Sequence, residues 1–447
     1  MKKGFTLLVI ATTTWLLSGC SFDNGSSAAP PTNLSATAGE GKVKVTWTAS
    51  SGVEYWLFSA TSAALSAFNW TSLPNAQVAI KASSPFYLCG LPNGVPFYFA
   101  ANGRVNGGPG GASSATVSGT PRFAGAVGTW VSSATATNNL FGVGYVSLTT
   151  CSNPTISAAG SFATVGANGA IFTSQTTDGL TPITWTSRSV TGGFSTNLNA
   201  VAGYAANQNN PTSPGLRWVA VGEGGATVIS TDGITWSAGT SYNPTNQALR
   251  SIIQVGGTFL AVGDAGTILS STDGITWTAR TSTTTSNLRG ISYGNGVYVA
   301  VGDSGTIRTS VDGITWAAPT SSPTLTDTLR QASSVLTTLI AVGDNGTILT
   351  STDQGRNWSQ QNTSALGTPN FVGIASNGVA YASSTAGIIP VLQFLALDNN
   401  GNYYTSSDGV SWTAAAVSTG VSSLNTLVSS GFGYVAVGNA GAAVSAF

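Results

Sequence analysis

Fifteen carboxylates, fifteen cationic side chains and no histidine are all that this 447-residue chain offers for acid–base or ionic chemistry. The missing histidine removes the usual general base, the usual proton shuttle and the commonest metal ligand. Twelve of the acids lie beyond residue 121. Eleven of these recur at two places of a repeating unit. Asp178, Asp232, Asp273, Asp312, Asp353 and Asp408 sit in a turn before a tryptophan-bearing strand, and Glu223, Asp264, Asp303, Asp344 and Asp398 sit one turn earlier. Only Asp327 stands outside the pattern. A short carboxylate repeated in a turn accepts backbone N–H bonds and fixes the bend, so these eleven are expected to be architectural. Glycoside hydrolysis needs two carboxylates about 5–10 Å apart across one bond, and a single unassigned aspartate does not supply them. The chain is therefore expected to be non-enzymatic, with no catalytic residue, no metal site and no cofactor. Its Val-Gly-Asp-x-Gly turns lack the Lys-Ser/Thr of a phosphate loop.

The cations carry more information. Arg250, Arg289 and Arg330 each follow a leucine, Leu249, Leu288 and Leu329, at one position of three consecutive units, and Asn199 and Asn425 take it in two others. Two readings stand. The guanidiniums either form an anion or carboxylate cradle, or a docking patch for an acidic partner, or each pairs with the turn acid of its own unit, Asp264, Asp303 or Asp344.

Charged residues make up only 7% of the chain and the net charge is zero, against about 25% charged in an ordinary domain. A nucleic-acid partner, which demands a basic face, is excluded. The 56 glycines, with abundant Ser and Thr, describe many short strands joined by tight turns. Along the repeat, Phe259 to Trp277 recurs almost word for word at Tyr298 to Trp316, and with one inserted residue at Leu339 to Trp358. Looser copies run Phe162 to Trp185, Trp218 to Trp236 and Phe394 to Trp412. Each unit reads as four strands, A to D. In one unit, A begins near Leu288, B is Val297 to Val301, C is Thr306 to Ser310 and D carries Trp316, with Asp312-Gly313 as the C–D hairpin turn. The last copy, from Tyr434, ends without a tryptophan, whereas Gly128-Thr129-Trp130 has the ending without the beginning. Joining these two fragments gives seven units over residues 122–447, within the roughly 40–50 residues per blade of propeller repeats. The expectation is a seven-bladed β-propeller closed by exchange of N- and C-terminal strands. The arginines then fall at one sector of its channel mouth. The long A–B connections, Ser147 to Ser157, Gln208 to Gly215 and Ser383 to Pro390, fall on the opposite face.

The Ser-x-Asp-Gly-x-x-Trp ending resembles the Asp-box of sialidase-like propellers, with Ser351 to Trp358 at that family's full spacing. Ala-Val-Gly-Asp-x-Gly-Thr-Ile resembles the propellers of photosystem II assembly factors. A sialidase would need a nucleophilic Tyr with a Glu partner, and the propeller's sole glutamate, Glu223, occupies a repeat position. Upstream, residues 32–121 alternate as a half-buried strand at Val43, Val45 and Trp47, with further strands at Glu54 to Phe58, Val78 to Ala82, Phe86 to Leu91 and Pro96 to Asn102. The Trp47 strand, Tyr55, Gly90 to Gly94 and Phe97-Tyr98-Phe99-Ala100 resemble a fibronectin type III domain. Phe97 stands where that family has its corner tyrosine.

Lys2 and Lys3 precede a mostly apolar run, Phe5 to Leu17, that is shorter than the roughly 20 residues of a bilayer span and ends Leu17-Ser18-Gly19-Cys20. This resembles the bacterial lipoprotein signal. It implies removal of residues 1–19, lipidation of Cys20, a flexible tether over residues 20–31, and, with Ser21 in place of Asp, the outer membrane of a Gram-negative envelope. Cys89 and Cys151 then either pair or stay as buried thiols. The whole describes an all-β, membrane-anchored binding or assembly protein that uses its propeller loop faces for a protein partner. The alternatives are a glycan-binding, sialidase-like propeller with a possible hydrolase activity, and a structural surface protein or adhesin.

Overall fold

The computed structural model describes residues 25–39, 41–89, 91–121, 130–133, 137–147, 160–176, 184–205, 215–239, 245–384, 387–415, 418–430 and 433–446. Cys20, Cys151, Asp178, the expected signal peptide and most of the Ser147–Ser157 and Gln208–Gly215 stretches lie outside them. Every regular element is a strand or a single 3-10 turn among the described residues.

The N-terminal part is two antiparallel sheets around one core. Thr32–Gly39, Lys42–Thr48 and Phe86–Cys89 form the smaller sheet. Ser26–Ala28, Phe97–Val105, Glu54–Ala60 and Gln77–Ala82 form the larger, where Val117–Gly119 also pairs with Phe97–Val105. Val43, Val45 and Trp47 face Tyr55, Leu57, Phe97 and Phe99 between them. The larger sheet is covered on its other face as well: Phe58, Ala60 and Ala100 are buried with Leu65 and Ala67 of the excursion that follows Ala60. Cys89 is disulfide-bonded.

Residues 130–446 fold into seven antiparallel sheets met in chain order. Their first strands are Leu140–Ser147, Leu198–Ala205, Leu249–Val255, Leu288–Gly294, Leu329–Val335, Phe371–Ser384 and Leu424–Ser429. In the fourth sheet a bridge between Thr309 and Ala317 stands in for the outer strand. The second sheet gains an extra strand, Val190–Thr191, parallel to Trp236–Ala238. The stretch Ser383 to Pro390, expected as a loop, instead belongs to a long hairpin of Phe371–Ser384 with Gly387–Asp398, paired as far as Ser384 and Gly387. The β-branched and aromatic residues Val379, Tyr381, Ile388, Ile389 and Val391 suit a strand, with Pro390 opposite Tyr381 in the ladder.

First strands of successive sheets lie side by side, and the seventh lies against the first. The seventh sheet takes its outer strand, Val131–Ser132, from the far end of the array, with Val131 opposite Ser445 and Ser132 opposite Val444. The core alternates between sheets: Trp218 and Trp236 bury with Val165 and Ile171, and Trp277 with Val219 and Val221. Burying such layers is the main driving force for the stack.

The turn after each second strand explains the Val-Gly-Asp-x-Gly words. A Cβ on Gly263 would lie 2.1 Å from the Ala248 carbonyl oxygen, so only glycine fits there. The next residue but one is left-handed, at φ 52° for Ala265, 54° for Asn345 and 51° for Ala440. In four of the seven sheets its N–H is held by an asparagine that introduces the next sheet. Ala265 N donates to Asn287 Oδ1 at 2.9 Å, Asn168 N to Asn197 at 2.9 Å and Asn345 N to Asn370 at 3.1 Å. Ala440 N donates to Asn139 at 2.9 Å, so the seventh sheet is clipped to the first by the same bond.

Trp130 leads into the exchanged strand and packs 5.7 Å from the Tyr403 ring. Trp130→Ala should lower unfolding free energy by about 2 kcal/mol, below the roughly 3–5 of a fully buried aromatic because this ring is only half-buried. An unchanged urea midpoint would show that the outer strand adds nothing to the array.

Candidate functional site

The first strand of every sheet slips register by one residue at the same place, between Leu140 and Gly142, Leu198 and Ala200, Leu249 and Ser251, Leu288 and Gly290, Leu329 and Gln331, Phe371 and Gly373, and Leu424 and Thr426. A bulge leaves its extra residue out of the ladder and re-aims the side chain. The seven skipped residues are Phe141, Asn199, Arg250, Arg289, Arg330, Val372 and Asn425. All seven line one cavity of about 660 Å³, together with residues from all seven first strands. The cavity lies among the first strands, and the bulges build its mouth. Three arginines occupy one arc, Asn199 flanks it on one side and Val372 on the other, and Asn425 and Phe141 leave the remainder neutral. Reading the sequence by chemical type finds the arginines and asparagines. It misses Phe141 and Val372, whose only signal is their place after Phe371 and Leu140.

The arginines are heavily engaged. Arg250 donates from Nε and Nη2 to the two oxygens of Asp264, at 3.0 and 2.6 Å, and from Nη1 to Glu223 at 2.6 Å. Arg289 forks Asp303 at 2.8 and 2.9 Å, with Nη1 3.8 Å from Asp264. Arg330 forks Asp344 at 2.6 and 3.0 Å. The Arg250 hydrogen bond holds the Asp264 carboxyl below the usual carboxylate range, and that of Arg289 does the same for Asp303. Both guanidiniums are raised in return, chiefly by those same bonds. A row of charges, Glu223, Arg250, Asp264, Arg289, Asp303, therefore alternates in sign along the mouth. Arg330 is the most open of the three, its side chain 44% exposed against 27% and 32%. Its Nη1 has no acidic partner among the described residues. The pairs are half-exposed and contribute about 1 kcal/mol or less apiece.

Where the mouth lacks an arginine, the same turn closes otherwise. Asn199 donates to Glu223 at 3.3 Å and to the Leu249 carbonyl at 2.9 Å. Asn425 reaches Asn439 at 2.9 Å and the Leu140 carbonyl at 2.7 Å. Asp398 is buried and accepts from Asn400 N, Asn402 N and Tyr404 Oη. Burial, then the Asp398 charge, pushes Tyr404 up to about 12. Asp327 accepts from Asn345 Nδ2 at 2.8 Å and Thr347 Oγ1 at 3.1 Å. It too holds a turn.

The second set of acids lies at the opposite end of the sheets. Ser310 Oγ contacts Asp312 Oδ1 at 2.9 Å and accepts from Gly313 N, while Ile314 N and Thr315 N both donate to Asp312 Oδ1 at 2.8 Å. Gly313 supplies the positive φ, 71°. Asp232, Asp273 and Asp408 repeat the arrangement. Asp353 does so over one more residue, through Arg356 N and Asn357 N. The tryptophans that follow are core: Trp236, Trp277, Trp316 and Trp358 are at most 4% exposed.

No family model and no curated protein sequence matches the chain. Solved structures do. YCF48 bound to D1 peptide is 18% identical with a TM-score of 0.53, over 71% of this chain and 94% of that one. YCF48 from Cyanidioschyzon merolae is 16% identical with a TM-score of 0.50, over 71% and 98%. At such identity the likeness concerns fold, and the array is a β-propeller.

The turn acids make an acid-sensitive device. Backbone donors hold Asp312 at about 2, and the Asn357 backbone and side chain hold Asp353 at about 2. Unfolded, both titrate near 3.8. Their contribution is complete above that value and is lost as pH falls through about 2. Tm should drop from pH 4 to pH 2, and Asp312→Asn with Asp353→Asn should make that drop shallower. An identical slope in wild type and double variant would rule the turn acids out as its cause.

Proposed function

We propose that this protein is an exported, lipid-anchored, non-catalytic binding protein. In this reading a fibronectin type III-like sandwich carries a closed seven-bladed propeller whose channel mouth receives a carboxylate-bearing segment of a protein partner. The circuit of first-strand neighbours, the outer strand taken from Val131–Ser132 and the repeated asparagine clip support closure at seven blades. The three-plus-five-strand sandwich supports the fibronectin-like reading. The Asp312-type turns match the Asp-box resemblance and leave those carboxylates committed to backbone. One observation carries the binding reading: seven bulges, identical in backbone, present a mouth charged on one arc and neutral on the other. Architecture alone would repeat one residue type around the ring. Arg330, and Nη1 of Arg289 at its long 3.8 Å contact, are the groups best placed to take an incoming carboxylate. That YCF48 has been solved with a D1 peptide supports a peptide as the occupant.

Crosslinking the full chain to membranes of its own cells tests this. Wild type should capture a protein partner, and the triple variant Arg250→Gln, Arg289→Gln, Arg330→Gln should lose it while melting within a few degrees of wild type. Equal capture by both would end the proposal for the mouth. Binding on a glycan array instead would favour the sialidase-like alternative.

Anchoring rests on Cys20, in the cell envelope. Cys20→Ser should move the protein from the membrane pellet to the supernatant. Retention in the pellet would refute the anchor.

A further inference from the structure

A second cavity, of about 270 Å³, opens between the first and second sheets and shares no lining residue with the first cavity. Strand register builds its wall on the first sheet. Ser161 pairs with Gln175 and Ala163 with Thr173, and Thr173 pairs with Thr186 and Ile171 with Arg188. Residues opposite one another in a ladder share a face. Ser161, Thr173, Gln175, Thr186 and Arg188 therefore project from one side of the sheet. It is the side whose Ala163 and Ile171 pack on Leu198 and Trp218 of the second sheet. Ile234, at a turn tip of the second sheet and 53% exposed, forms the apolar wall opposite.

Arg188 Nε donates to Thr173 Oγ1 at 2.7 Å, but its two amino groups meet no carboxylate among the described residues. Ser161 is 1% exposed and lines the cavity. The next two sheets place Arg217 and Thr258, both larger, where the first has Ser161, which accounts for the room. A half-buried cation with no anion among the described residues is costly unless a ligand answers it. The volume is at the small end of ligand pockets, enough for one sugar-sized molecule.

The geometry points to this recess as a binding site for a small hydroxylated carboxylate of the sugar-acid class. The carboxylate lies on the Arg188 amino groups, and the hydroxyls meet Ser161, Gln175 and Thr186. The site is independent of the mouth.

Titration of the full chain with glucuronate, followed by NMR, is the test. Wild type should bind glucuronate and ignore glucose at equal concentration, and Arg188→Gln should weaken glucuronate by about tenfold or more, as loss of a charge-assisted bond does. The paired variant Gln175→Ala, Thr186→Val, at two exposed positions, should weaken glucuronate but leave acetate unchanged. Absence of glucuronate binding, equal affinity for glucose, or full affinity in Arg188→Gln would overturn the assignment. If Arg188→Gln does not fold, undiminished glucuronate binding by the paired variant would overturn it alone.

Discussion

Four of the seven junctions between sheets rest on a bond from a left-handed turn to the sheet that follows it. Ala265, at φ 52°, occupies a conformation that costs a non-glycine residue about 1–2 kcal/mol. The turn persists because its N–H is caught by Asn287. The cost of the bend is thus offset at the junction between sheets rather than within one. Gly263 makes the same point from the other direction: it admits the Ala248 carbonyl to a distance no side chain would tolerate.

The scarcity of charge follows from this frame. Few carboxylates remain once two turns per sheet have taken theirs, and the cations opposite them are held in forks. Such pairs add little stability at half-exposed positions, so their arrangement matters more for the field they create than for the fold. Signs alternate from Glu223 to Asp303 and then give way to Val372 and Phe141. The mouth therefore carries a directional pattern, although each supporting backbone is the same.

Much of this was legible in the residues themselves. Ser-x-Asp-Gly-x-x-Trp gives away the turn because three residue types must cooperate there: a hydroxyl, a carboxylate and a glycine at positive φ. The arginines stand out because charge is rare in this chain. Phe141 and Val372 do not, because a bulge position constrains backbone and leaves side chain free. The clipping asparagines are hidden for another reason. Asn139, Asn197, Asn287 and Asn370 belong to one unit by sequence and serve its predecessor in space, and Ala248, Thr328 and Ser423 occupy the same place elsewhere. The stretch Ser383 to Pro390 resembles a loop by sequence because its small residues and Pro390 mask a period that pairing makes plain. The recess at Arg188 depends on a sheet-to-sheet gap, which no single strand encodes.

The outer strand at Val131–Ser132 joins residues made first in the array to Ala443–Ala446, made last. Until the final residues are available, the Ala443–Ala446 ladder does not exist, and Val131–Ser132 has nothing to pair with. The nascent array therefore carries an unsatisfied edge at its leading end for the whole of synthesis. Two chains emerging side by side could trade that strand, giving interlocked dimers from an unaltered sequence.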